Sequence, residues 1–271
     1  MKLKINYKKI AITVLWVIAL SGLMASLAFV EKKESMVKAK NIDITVNTSG
    51  VSDFVDEEDI KEFFVSRHDP LMNEEVKNIN INALEKALNS HPAIENADLS
   101  VDVNGDVKIS VTQRTPLVRV MTMGGESYYI DTQSKLMPLS DKYTARVLVV
   151  NGNIHEPYSR RYMFSVNEIA KNEIFREVSL LDDIYQMADY ITKDTILNEL
   201  IHQLNVNEDK EFEMYPAIGN HKIIFGEATD IAEKFEKLKL FYREGLNKTD
   251  NWNKYSIINL KFKNQVVCTK K

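Results

Sequence analysis

A chain of 271 residues with 35 basic and 39 acidic side chains is long enough for one large domain or two ordinary ones. Its single cysteine, Cys268, cannot close an internal disulfide, so the fold must rest on hydrophobic cores. The acidic balance repels nucleic acid and anionic lipid, and no lysine or arginine stripe interrupts it, which excludes a polyanion-binding role.

Residues 10–30, IAITVLWVIALSGLMASLAFV, form an uncharged run of 21 positions in a chain that is 27% charged. At about 1.5 Å per residue a helix of this length spans roughly 30 Å, the hydrocarbon thickness of a bilayer. Lys2, Lys4, Lys8 and Lys9 precede it without an acid, and the balanced Glu31-Lys32-Lys33-Glu34 follows. The expectation is one transmembrane helix at 10–30, a cytoplasmic tail at 1–9 and the rest outside the cytoplasm. Removing the tail leaves 31 basic against 39 acidic residues outside. A cleavable signal is the alternative, with Ser26-Leu27-Ala28 as a cleavage site, but a signal's apolar core is usually about 7 to 15 residues.

Val37 to Val46 alternates through Ile42, Ile44 and Val46 and predicts a strand. A helix follows with Asp56 as N-cap, Glu57, Glu58 and Asp59 complementing its dipole, and Pro70 as the stop. A second helix is predicted from about Asn82, with Glu85 at capping-box spacing, Leu84, Ala87 and Leu88 on its apolar face, and an end before His91-Pro92. Two alternating runs, Leu99-Val101-Val103 and Val107-Ile109-Val111, then flank Asn104-Gly105-Asp106. A three-residue loop pairing 103 with 107, 101 with 109 and 99 with 111 keeps every apolar residue on one face, whereas a two-residue turn mixes the faces. Val101 and Ile109 then face the helices, with Asp102 and Lys108 outward. Residues 37–115 read as a β-α-α-β-β unit.

Arg114-Thr115-Pro116 marks the next junction, and 116–271 reads as a mixed β-sheet domain with flanking helices. Strands are predicted at 117–123, 127–131 and 146–150. A helix over 165–192 opens with the capping box Ser165-Val166-Asn167-Glu168 and carries Ile184, Met187, Ala188 and Ile191 as core. Further strands are predicted at 201–206, 211–215 and 221–225. An amphipathic helix over 228–244 runs through Ile231, Phe235, Leu238 and Phe241 and stops at Gly245. Residues 255–262 and 265–268 are β-like. The fold class is α+β.

The sequence carries little catalytic chemistry. Histidines 68, 91, 155, 202 and 221 share no metal-binding spacing, and Asp182-Asp183 has ordinary solvated-face spacing. Neither a glycine-rich phosphate loop nor a Gly-x-Ser-x-Gly elbow is found. Ser35-Met36-Val37-Lys38 spells the Ser-x-x-Lys of penicillin-binding enzymes, but it leads into a strand, and Ser52-Asp53-Phe54 and Lys248-Thr249-Asp250 break the partner motifs. Cys268 reads as a small apolar residue of a terminal strand. No catalytic residue, cofactor or metal ligand is assigned.

Leu84 to Leu88, His91-Pro92-Ala93-Ile94, the hairpin through Val111 and Arg114-Thr115-Pro116 resemble a POTRA domain of the bacterial division family FtsQ/DivIB. Tyr128-Tyr129-Ile130-Asp131 with Pro138-Leu139, Ile224-Phe225-Gly226 with Lys234, and Tyr255 to Leu260 with Asn264-Gln265-Val266-Val267 extend the resemblance over essentially the whole chain. Ser134 departs from it, since many relatives place a turn glycine there. The resemblance implies a non-enzymatic, single-pass scaffold of the cytoplasmic (inner) membrane at the division septum. It further implies FtsB-like and FtsL-like partners and a link from early division proteins to septal peptidoglycan synthesis. It also points to the terminal strand, Tyr255 to Phe262, as the partner-binding edge. Ile258, Leu260 and Phe262 would then face the core, and Tyr255, Ile257, Asn259 and Lys261 a partner strand added by β-augmentation. Two other readings remain. One is a membrane-tethered wall enzyme with a site assembled from dispersed residues. The other is a POTRA-bearing envelope assembly or secretion component, which normally brings a long β-barrel.

Overall fold

The computed structural model describes residues 15–24, 37–48, 54–67, 71, 74–156, 158, 165–171, 179–248 and 252–271. Of the apolar N-terminal run, 15–24 is helical and the remainder lies outside the described residues. Among the described residues no helix is long and apolar enough to cross a membrane. The rest forms two compact units, divided between Thr112 and Gln113, with the short segment Thr48–Phe54 grouped with the second.

The first unit is a three-stranded sheet with two helices. Its elements are β1 (Asn41–Asn47), α1 (Glu57–Ser66), α2 (Ile81–Asn89), β2 (Ile94–Val101) and β3 (Asp106–Gln113). β3 is central, parallel to β1 with Ile44 opposite Ile109. Asp56 caps α1 as expected, accepting from Glu58 N and Asp59 N, and the Asp59 carboxylate accepts from Asp56 N. Pro70 lies outside the described residues. α2 is capped by Asn80 rather than through Glu85, whose carboxylate instead accepts from Leu99 N at 2.8 Å and fastens α2 to β2.

The hairpin has the expected three-residue loop, one position earlier. Asp102 N donates to Asp106 O, and Gly105, at φ +92°, donates to Asp102 O. The Asp102 carboxylate accepts from Asn104 N and Asp106 N, so an Asx turn selects residues 103–105 as the loop. The predicted pairing is thereby corrected by two positions while the faces are kept. Leu99, Val107, Ile109 and Val111 are buried, Val101 is half-buried and Val103 is exposed at the tip. Only glycine fits at 105: a Cβ there would lie 2.2 Å from Lys38 O, and the Gly105 carbonyl accepts from Lys40 N.

The second unit holds a nine-stranded mixed sheet. Its first half comprises β4 (Pro116–Met121), β5 (Ser127–Asp131), β6 (Leu136–Met137), β7 (Leu148–Gly152), α3 (Val166–Lys171), α4 (Leu181–Lys193) and α5 (Thr195–Leu200). Then come β8 (Ile201–Val206), β9 (Phe212–Pro216), β10 (Lys222–Gly226), α6 (Ile231–Leu240), a π-helical turn (Phe241–Asn247), β11 (Tyr255–Asn259) and β12 (Val267–Lys270). The strand order is β12-β11-β10-β9-β8-β7-β4-β5-β6. Val118, Val150, Leu204, Met214, Ile223 and Ile258 form one buried face, packed with the α4 and α6 residues Ile184, Met187, Phe235 and Leu238. On the opposite face β7 to β11 are half-exposed, so these strands alternate, whereas Tyr129 of β5 and Met137 of β6 are buried there too.

The predicted 165–192 helix is not continuous: among the described residues it is helical at α3 and α4 and broken at Ser179 and Leu180. The Ser165–Glu168 capping box opens α3 as expected. Ser179 and Leu180 are not helical, because Glu156, itself 4% exposed, accepts from Ser179 Oγ at 2.7 Å and Leu180 N at 2.6 Å. α5 and β6, both too short for a periodic signature, escape the sequence reading. Gly245 does not stop α6. The helix widens into a π turn around it, with the Phe241 ring so close that a Cβ at Gly245 would lie 3.1 Å away. Ser134 takes the left-handed conformation a glycine would, at φ +65°, and its Oγ accepts from Asn167 Nδ2.

Asp183 is not a solvated-face carboxylate. Burial, then Asp182 and Glu227, raise its pKa from 3.8 to about 6. A raised folded-state value means that the unfolded chain ionises first, so stability falls as pH rises from about 4 through 6, and the penalty is complete above that. Asp183→Asn is expected to raise Tm by about 2–4 °C at pH 7.5, with the gain vanishing near pH 4. Thermal melts across that range check it, and an equal gain at both ends would refute it.

Candidate partner-binding edge

β10 turns from β9 and sends the chain through α6 before β11 returns parallel beside it, with Lys222 opposite Ile257 and Ile224 opposite Asn259. The α6 side chain of Lys237 donates to Leu260 O and Phe262 O, holding the chain as it leaves β11. Asn264, at φ +59°, lies in the reversal, and β12 pairs antiparallel with β11. β11 is therefore interior, and the expectation that Tyr255 to Phe262 is the edge is corrected: the edge is Val267–Lys270. At the other end of the sheet, β6 is only two residues long and buried.

The four expected contact residues are not brought together on one face. Ile257 and Asn259 lie on the outer face, opposite Thr269 and Val267. Ser256 is bulged between the paired Tyr255 and Ile257, which turns Tyr255 to the helix side, where its ring centroid lies 6.1 Å from that of Phe241. Lys261 lies past the strand, paired with Glu211, whose hydrogen bond raises the lysine pKa. Its amide donates to Asn259 Oδ1. Ile258 and Leu260 are fully buried as expected, but Phe262 is 46% exposed.

The backbone of β12 shows which of its groups are available. Lys271 N donates to Lys254 O across the ladder, so strand alternation turns the amide and carbonyl of Cys268 and the amide of Lys270 outward, while the Lys270 carbonyl accepts from Ser256 Oγ of β11 at 3.3 Å. Among the described residues no strand pairs beyond them. Cys268 points its thiol toward the core, and burial raises its pKa. Residues 252–271 contain Lys254, Lys261, Lys263, Lys270 and Lys271 and no acid, a basic stretch in a net-acidic chain that the overall charge conceals. Lysines along an open strand repel a like strand and discourage self-pairing. The same signal, read locally, would have marked Val267 to Lys270 as the exposed edge.

Among the described residues, no group of three or more His, Cys, Asp or Glu could hold a metal ion. A small two-helix, three-stranded unit followed by a large mixed sheet defines a POTRA-like domain joined to an FtsQ-type sheet domain. Residues 37–112 match the POTRA-like domain, and residues 115–269 match the family described as FtsQ/DivIB, C-terminal related. No curated protein matches the chain. The chain belongs to the FtsQ/DivIB family of division proteins.

Proposed function

We propose that the protein is a non-enzymatic, single-pass scaffold of the divisome, anchored by residues 10–30 with its N-terminus in the cytoplasm. It captures FtsB-like and FtsL-like partners outside the cytoplasm and links early division proteins to septal peptidoglycan synthesis. The observation that carries the reading is the open, lysine-flanked β12. An acid-bearing strand added there gains backbone hydrogen bonds from the amide and carbonyl of Cys268 and from the amide of Lys270. Its side chains meet Val267, Thr269, Ile257 and Asn259 on the outer face, with Tyr255 and Lys261 flanking the contact.

Lys270→Pro tests the edge. It removes an outward donor and places a ring in the path of an added strand, while the ladder to β11 is kept. An N-terminally tagged full-length chain, recovered at full mass from membranes of the source bacterium, is expected to bring FtsB-like and FtsL-like partners with it. Lys270→Pro should cut that recovery at least about tenfold with an unchanged melt. A folded Lys270→Pro chain that captures partners at wild-type level would sink the edge assignment, and a shortened soluble chain would sink the anchor. Ile257→Pro is unsuitable, because it would break the ladder inside the sheet.

A further inference from the structure

We propose that the groove between α5 and the continuous α6–π helix docks an amphipathic helix of a partner protein, one whose apolar stripe is flanked by lysines or arginines. The groove measures about 950 Å³, and Ile196, Leu200, Ile218, Leu240 and Trp252 supply its apolar lining. Ile196, Ile218 and Leu240 are 61%, 58% and 51% exposed. Water-facing helix surfaces normally carry polar residues, so large aliphatic side chains gathered in one concave surface mark an interaction site.

The groove is preformed. Asp194 caps α5, accepting from Ile196 N and Leu197 N at 3.0 Å each, and its second oxygen accepts from Lys239 Nζ of α6 at 2.7 Å. Lys239 also pairs with Glu236. One carboxylate thus starts the first wall and ties it to the second, fixing the width before any partner arrives. The π turn widens the second wall and places Tyr242, Arg243 and Asn247 along it. A cleft of this volume with an apolar floor between two helices suits a third helix presenting residues at i, i+3, i+4 and i+7.

Charge selects the partner. Lys239 is neutralised by Asp194 and Glu236, Lys237 is committed to the carbonyls of Leu260 and Phe262, and Arg243 pairs with Glu244. Glu199 and Glu233 are exposed on the rim with no cationic partner among the described residues. With Asp194 and Glu244 counted beside the lining, five carboxylates stand against Lys237, Lys239, Arg243 and Lys248, so the groove presents an apolar floor with a small excess of negative charge beside it, which a basic-flanked helix complements. This site lies on the helix-bearing face and does not depend on the β12 edge.

Trp252 is a built-in reporter. With Trp16→Phe it becomes the only tryptophan of the full-length chain. That chain in detergent micelles is titrated with a helical peptide of about 14 residues, leucines on one face and lysines beside them, and with its glutamate counterpart. The lysine peptide is expected to bind at least about tenfold more tightly and to shift Trp252 emission to the blue. Ile196→Asp and Leu240→Asp, both at exposed positions, should remove the binding, and Glu199→Lys with Glu233→Lys should invert the peptide preference. Lys270→Pro should change none of this, which separates the groove from the edge. Absence of binding, equal binding of the two peptides, or binding undiminished by Ile196→Asp would overturn the proposal. So would a blue shift arising from self-association alone and lost in Ile196→Asp, since a second copy would then own the groove.

Discussion

Ile109→Asp is expected to unfold the domain of residues 37–112. Ile109 is 1% exposed in the middle of the central strand, paired with Ile44 on β1, in a core that includes Ile60, Leu88 and Leu99. An aspartate there must either bury an unpaired charge or be protonated, a cost of several kcal/mol. A core of this size supplies about 3–5 kcal/mol, so the substitution exhausts it. Val101→Asp, at a half-buried strand end beside the loop, should cost much less, and Lys108→Asp, on the exposed face, about 0.5 kcal/mol or less. Amide hydrogen exchange over residues 37–112 gives the ranking, with protection lost only in Ile109→Asp. Equal losses in Ile109→Asp and Lys108→Asp would contradict the observed faces.

Arg114→Met should destabilise the sheet domain by about 3–5 kcal/mol, a fall in Tm on the order of 10 °C. Arg114 Nη1 donates to Asp131 Oδ2 at 2.8 Å, with side-chain exposures of 13% and 1%. The other Asp131 oxygen accepts from Gln133 N at 2.9 Å and Lys135 N at 2.6 Å, closing the turn in which Ser134 is left-handed. Removing the arginine leaves a fully buried carboxylate without its cation, which costs more than the pair itself is worth. Asp131→Asn keeps the turn acceptor and should cost less. The double variant Arg114→Met with Asp131→Asn should recover part of the loss, because no buried charge is then uncompensated. A double variant whose loss equals the sum of the two single losses would show that the ion pair is not the cause.

Arg114 and Asp131 also mark how far the sequence could be read. Both stand out as parts of motifs, at a domain junction and at the end of a Tyr-Tyr-Ile-Asp strand, yet nothing local shows that they meet. Asp56 and Ser165 were legible as caps because a capping box is complete within four residues. Strand faces were legible for a similar reason: alternation survives even where the register does not, as when the 103–105 loop moved every pair of the hairpin without turning a side chain over. Val267 and Cys268 had a visible β pattern but no visible rank in the sheet.

Local and periodic features were readable from the residues alone: the apolar N-terminal run, helix starts, strand faces and the motifs of the family. Which strand is the edge emerges in three dimensions alone, because it depends on Lys222 meeting Ile257 and on β12 folding back over β11. The same holds for Tyr255 turned inward through one bulged residue, for Asp183 half-buried within the field of Glu227, and for α5 set beside α6 through the Asp194–Lys239 pair. Periodicity and capping are encoded within a few residues and repeat wherever the pattern repeats. Edges, bulged faces and grooves are properties of contacts between distant segments, and no short window of sequence contains both partners.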